Sequence, residues 1–104
     1  MSRACRLSIY LGNADTHEHR ALSGEIVHRA HRAGLAGATT VQGIEGFGRS
    51  HTIHEVPHWG LRDRSPICVC IIDTPDKIRG FLPLLDDLAT QLVIVRDDVE
   101  LLDG

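Results

Sequence analysis

The residues best placed to do chemistry form one run, Gly43-Ile44-Glu45-Gly46-Phe47-Gly48-Arg49, where a β-branched segment gives way to a long polar stretch. Glycines at such a point let backbone amides approach an anion closely, and an arginine beside them can form charge-assisted hydrogen bonds to a phosphate or carboxylate. The same glycines also suit a simple bulge or turn. Histidines make a second group. His51, His54 and His58 lie in the polar stretch and could supply imidazoles to a divalent metal, with Glu55 as a carboxylate, although their spacing matches no established metal motif and solvated loop histidines are the alternative. His17 and His19 precede a helical pattern, and His28 and His31 sit three apart on its polar face. Trp59 is suited to contacting a partner or to anchoring the base of the loop.

Catalytic constellations are missing. The chain has no nucleophile elbow, no HExxH and no phosphate-binding P-loop, and no serine or cysteine nucleophile is paired with the loop histidines. Asp86-Asp87 and Asp97-Asp98 are expected to be solvated charges at element ends rather than an acid and base pair. The expected activity is binding, not catalysis.

The elements that position these residues follow from periodicity. Leu7, Ile9 and Leu11 alternate with Arg6, Ser8 and Tyr10, which predicts a strand over Arg6–Leu11. Leu22, Ile26, Val27, Ala30 and Ala33 recur at helical spacing, giving a helix from about Arg20 to Ala33 closed by Gly34. A β-branched strand spans Ala38–Ile44, and residues 45–64 form a long loop or irregular hairpin tip. Ile67–Ile72 is a third strand. Thr74 and Pro75 then open a second helix with the stripe Ile78, Phe81, Leu82, Leu85 and Leu88, which Pro83 should bend, and Leu92–Arg96 is a fourth strand. The order β-α-β-β-α-β predicts one domain over residues 1–104, an α+β ferredoxin-like sandwich with a four-stranded antiparallel sheet and two helices on one face. Two helices cover only one side of that sheet, yet the third and fourth strands are apolar on both. Further copies of the chain are the simplest cover.

Composition limits the partners. A formal net charge of −3 over 104 residues gives no broad basic surface for nucleic acid. The longest apolar run, Pro66 to Ile72, is far short of the roughly 20 residues of a membrane helix. The first residues carry no apolar signal region, so a cytoplasmic protein is expected. Cys5, Cys68 and Cys70 are expected to be reduced core thiols.

Several of these segments together resemble the PII-like family catalogued as domain of unknown function 190. They are Leu7-Ser8-Ile9-Tyr10-Leu11-Gly12, Ala33-Gly34-Leu35-Ala36-Gly37-Ala38-Thr39, Gly43-Ile44-Glu45-Gly46-Phe47-Gly48, His54, Ile72-Asp73 and Phe81-Leu82-Pro83-Leu84-Leu85-Asp86. The resemblance covers nearly the whole chain and implies a ferredoxin-like fold and a homotrimer. More distantly, Gly46-Phe47-Gly48-Arg49 is similar to the base of the long T-loop of PII nitrogen regulators, where matching residues help build an adenine-nucleotide site between subunits. Thr40 corresponds to a nucleotide-contacting threonine there. The resemblance thus implies an effector site at Thr40, Glu45, Gly46, Phe47, Gly48 and Arg49. It also implies a loop, residues 49–64, that docks on a target protein such as a membrane transporter. Two departures stand out: Leu88-Ala89-Thr90-Gln91-Leu92 replaces the Gly- and Lys-rich phosphate loop of PII proteins, and the long loop has no tyrosine to modify. The alternative is a divalent-metal-binding trimer of the same general fold, like the divalent-cation-tolerance proteins, with His51, His54 and His58 as ligands.

Overall fold

The structure, a computed structural model, describes residues 1–46, 54–55 and 65–102. Eleven residues from Ser2 to Gly12 form strand β1, which is longer than its alternating segment because Ser2–Cys5 continue to pair along a partner strand. A two-residue hairpin follows, β2 (Thr16–His17) with β3 (Arg20–Ala21), in a stretch expected to be irregular. Its turn residues Glu18 and His19 both have positive φ, 50° and 68°. That conformation normally selects Asn-Gly, so the usual sequence signal of a tight hairpin is missing here.

Helix α1 (Leu22–Arg32) buries Leu22, Ile26 and Ala30 and starts two residues later than its periodicity suggests, because Arg20 and Ala21 are held in β3. It ends as Gly34 predicts. Gly34 has φ +77°, its N–H donates to the His31 carbonyl and the Leu35 N–H donates to the Ala30 carbonyl, the double closure of a Schellman cap. Lys77 Nζ adds a bond of 3.2 Å to the Gly34 carbonyl.

Strands β4 (Thr39–Gln42), β5 (Glu45–Gly46), β6 (His54–Glu55) and β7 (Pro66–Asp73) follow. The Thr74 hydroxyl accepts from the Lys77 N–H at 3.3 Å and Pro75 fills the first turn, so α2 (Pro75–Phe81) begins where expected. It does not continue as one bent helix. Residues Leu82–Gln91 form a 3-10 helix, long for its kind, with Pro83 in its first turn. Strand β8 (Val93–Leu101) closes the chain and runs five residues beyond its expected end.

The sheet is antiparallel with strand order β4-β7-β1-β8, the ferredoxin-like arrangement. Leu7, Ile9 and Leu11 of β1 and Ile67, Val69 and Ile71 of β7 face the helical layer. They pack with Leu22, Ile26, Ile78, Phe81, Leu85, Leu88 and Leu92 into one core. Burial of each such side chain contributes about 1.5–3 kcal/mol, so this layer is the main source of stability. Arg29 staples α1 to the 3-10 helix. It holds Asp87 through two bonds of 2.6 and 2.9 Å and donates to the Leu84 carbonyl at 2.8 Å. Asp87 and Asp97 are therefore ion-paired rather than simply solvated. Asp97 lies within β8, where Arg6 opposes it in register and grips both its oxygens at 3.1 and 2.6 Å.

The other sheet face carries three cross-strand rows: Val41-Cys68-Tyr10-Val93, Thr39-Cys70-Ser8-Val95, and Ile72-Arg6-Asp97. Tyr10, Val41, Val93 and Val95 are 47, 54, 38 and 46% exposed. The two-sided apolarity legible in the sequence is thus present, with nothing from the same chain over this side among the described residues. Cys5 is a core thiol, whereas Cys68 and Cys70 lie half-buried on the outward face, because alternation along β7 turns Ile67, Val69 and Ile71 inward instead.

Candidate functional site

Three chain segments meet where the long loop leaves and rejoins the sheet. The Gly43 N–H donates to the Pro66 carbonyl at 2.7 Å, and Gln42 Nε2 donates to Ser65 Oγ at 2.5 Å. The Ser65 carbonyl accepts from the Asn13 N–H at 2.9 Å, which ties in the end of β1. Asp15 secures that end by accepting from the Gly12 N–H at 2.8 Å. Ser65 is fully buried and is the buried polar residue of the described part of the chain; a buried hydroxyl needs such a partner, because an unsatisfied one costs on the order of 1–3 kcal/mol. No sequence pattern marks Gln42, Ser65 or Asn13 for this role.

Gly43 is required here by space. A Cβ at this position would lie 2.7 Å from Cγ of Pro66, inside any allowed contact. The chain then runs through Ile44, 83% exposed, into β5, whose Glu45 and Gly46 pair with Glu55 and His54 of β6. Two of the residues singled out from sequence are thereby set opposite each other, Gly46 and His54. Thr40 is exposed on edge strand β4, opposite Val69. Phe47, Gly48, Arg49, His51 and His58 lie outside the described residues, as does Trp59. Among the described residues no group of three or more His, Cys, Asp or Glu side chains could hold a metal ion. No described helix is long and apolar enough to cross a membrane.

The stretch that would correspond to a PII phosphate loop is built differently. Its Leu88 and Leu92 are fully in the core, and Ala89, Thr90 and Gln91 are the last turn of the 3-10 helix, with Gln91 Nε2 donating to the Thr16 carbonyl at 3.3 Å. It offers neither glycines nor a lysine to an anion.

On the outward face beside β4, burial pushes the Cys68 thiol up, partly offset by its hydrogen bond with Tyr10. The charged groups of this face, Arg6 and Asp97, neutralise each other. The face is therefore largely uncharged up to the strand that enters the loop base.

Known structures share this architecture. CPII from Thiomonas intermedia K12, a nitrogen regulatory PII-like protein solved with ADP, AMP and bicarbonate, superimposes with a TM-score of 0.69 at 21% identity, over 94% of this chain and 87% of that one. A PII-like signalling protein from Thermus thermophilus, TTHA0516, matches with a TM-score of 0.63 at 17% identity over 93% and 87% of the two chains. In sequence, a UPF0166 protein from Aquifex aeolicus (strain VF5) is 30% identical over 91 residues, 88% of this chain and 87% of its own. The family model DUF190, described as uncharacterized ACR, matches residues 4–101. With nearly its whole length matched and its PII-like fold in hand, the chain belongs to the DUF190 family.

Proposed function

We propose that this chain is a cytoplasmic, non-catalytic signalling protein of the PII-like kind. It works as a homotrimer that binds a small anionic effector, an adenine nucleotide, in the clefts between subunits. The observation that carries the proposal is the outward sheet face. Its apolar rows end on β4, and β4 passes directly into the loop base at Gln42 and Gly43. Copies packed over that face would set the edge strand β4, with Thr40 on its opposite side, and residues 45–49 beside the seam between subunits, where a ligand could link assembly to the loop. The nucleotide reading is supported by the ADP, AMP and bicarbonate held by CPII. Since the 3-10 helix offers no phosphate loop, the anion contacts fall to the Gly46-Phe47-Gly48-Arg49 run. The 49–64 loop would then dock on a target protein according to effector occupancy, an ordering switch of the kind common in signalling proteins.

Sedimentation at micromolar concentration combined with calorimetric titration of ADP, AMP and bicarbonate tests this. A species three times the 11.4 kDa chain mass and saturable nucleotide binding are expected. Arg49→Ala removes a charge-assisted hydrogen bond of about 1.5–3 kcal/mol, so affinity should fall roughly ten-fold to a hundred-fold. A single-chain species, or equal affinities in the two proteins, would refute it.

A further inference from the structure

The two edges of the sheet are not alike. Strand β4, on one edge, is four residues long, the short kind that offers little to another chain. Strand β8, on the other, runs nine residues against β1 in a single unbroken register, with no proline, glycine or bulge to interrupt it. Among the described residues no strand pairs with its second side, so a row of backbone N–H and C=O groups faces outward there. An edge of that length is a template for an added strand. It also carries two charges without a counter-ion. Arg96 and Asp98 are exposed, stand two residues apart on the same sheet side as Leu7 and Cys5, which they oppose in register, and make no hydrogen bond or ion pair among the described residues.

We propose that this edge is an interaction surface for a second copy of the chain, β8 pairing antiparallel with β8 about a two-fold axis through Asp97. Facing residues of antiparallel strands project from the same side of the sheet, so an axis perpendicular to the sheet must pass through a residue rather than between two. Centred on Arg96 or on Asp98, the strands would set unpaired like charges against each other, which destabilises a sheet. Centred on Asp97, they match over all nine residues: Arg96 meets Asp98 twice, Val95 meets Val99 and Val93 meets Leu101. The two Asp97 carboxylates then face each other, but each is gripped by its own Arg6 at 2.6 and 3.1 Å, so that row holds two charges of each sign. The outward apolar rows also run on across the join, Tyr10-Val93 into Leu101 and Ser8-Val95 into Val99. This pairing goes beyond the effector reading and does not depend on it. One strand pair is a small contact beside a standard interface, so it forms above the micromolar range and joins whatever the outward face assembles two by two.

Sedimentation from micromolar to near-millimolar protein tests it. The mass should double as concentration rises. Arg96→Asp and Asp98→Arg, each alone, should abolish the doubling, because like charges then face each other twice. An equal mixture of the two single variants should restore it, since each chain supplies the sign the other lacks, and so should the two changes made together in one chain. These restorations exclude misfolding as the cause of the losses. Doubling that survives both single changes, or a mixture that fails to double, would overturn the pairing. The mass at low concentration reports separately on the outward face: a single chain there defeats the trimer, whereas a trimer that never doubles defeats only the edge pairing.

Discussion

Replacing Gly43 with Ala puts a methyl group 2.7 Å from Cγ of Pro66 and 3.4 Å from its carbonyl oxygen. The Pro66 ring cannot swing away, because its backbone begins β7 and its carbonyl accepts the Gly43 N–H at 2.7 Å. Relief must come from separating β4 from β7, which lengthens that bond and disturbs Gln42 and Ser65 next to it. Overpacking of this kind costs about 1–3 kcal/mol. In a domain near this size each kcal/mol lowers the melting temperature by roughly 4–8 °C. Gly24 is the internal control: its added Cβ meets nothing within 4 Å inside α1. There alanine should stabilise by about 0.8–1 kcal/mol through helix propensity alone. Thermal unfolding of the two single variants at matched protein concentration should therefore move in opposite directions. Calorimetry on Gly43→Ala should also show weakened nucleotide binding, since the loop base is displaced. A Gly43→Ala protein that melts with the parent would refute the assignment of this glycine to strand approach.

Two further outcomes are expected. The Glu18–His19 turn holds two non-glycine residues at positive φ, a conformation costing roughly 1–2 kcal/mol each, so the double change Glu18→Asn, His19→Gly should raise the melting temperature; an unchanged or lower value would mean the turn is not strained. The hydrogen bonds from Arg29, followed by its charge, hold the Asp87 carboxyl below its ordinary 3.8. A carboxyl depressed on folding stabilises above its unfolded pKa and loses that contribution as pH falls through the folded one. Asp87→Asn should thus be less stable than the parent at neutral pH, and the gap should close below about pH 3.8; a gap independent of pH would assign the effect to packing.

The parts of this fold that were legible in the sequence are those with unambiguous local chemistry. Alternation in β1, the Gly34 closure of α1 and the Thr74-Pro75 opening of α2 each leave a residue pattern with a single cheap conformation, and each stands where expected. Elements set by long-range pairing were not legible. The residues Ser2–Cys5 and Asp97–Leu101 are strand because they face each other, not because either segment favours it. The same holds for Asp87 and Asp97, whose partners are remote in sequence. Near the proposed effector residues, the Gly43-to-Gly46 strand end could be located, but its clasp of Gln42, Ser65 and Asn13 involves common residue types that become a unit only in three dimensions. The 3-10 helix is the remaining surprise. A proline in a helical stripe predicts a kink, whereas the segment winds more tightly, with Leu85 and Leu88 buried three residues apart and Leu92 entering the core just past its end.

The clasp at Gly43 and Pro66 has a further consequence for how such a chain diversifies. Both ends of the intervening stretch are fixed by the sheet itself, so the entropic cost of closing it grows only with the logarithm of its length, about 0.6 kcal/mol for each doubling. A change in the length of this stretch therefore alters its closure cost by only tenths of a kcal/mol. A change of length there is nearly neutral to the scaffold, and the thermodynamic constraint on the remaining chain stays the same.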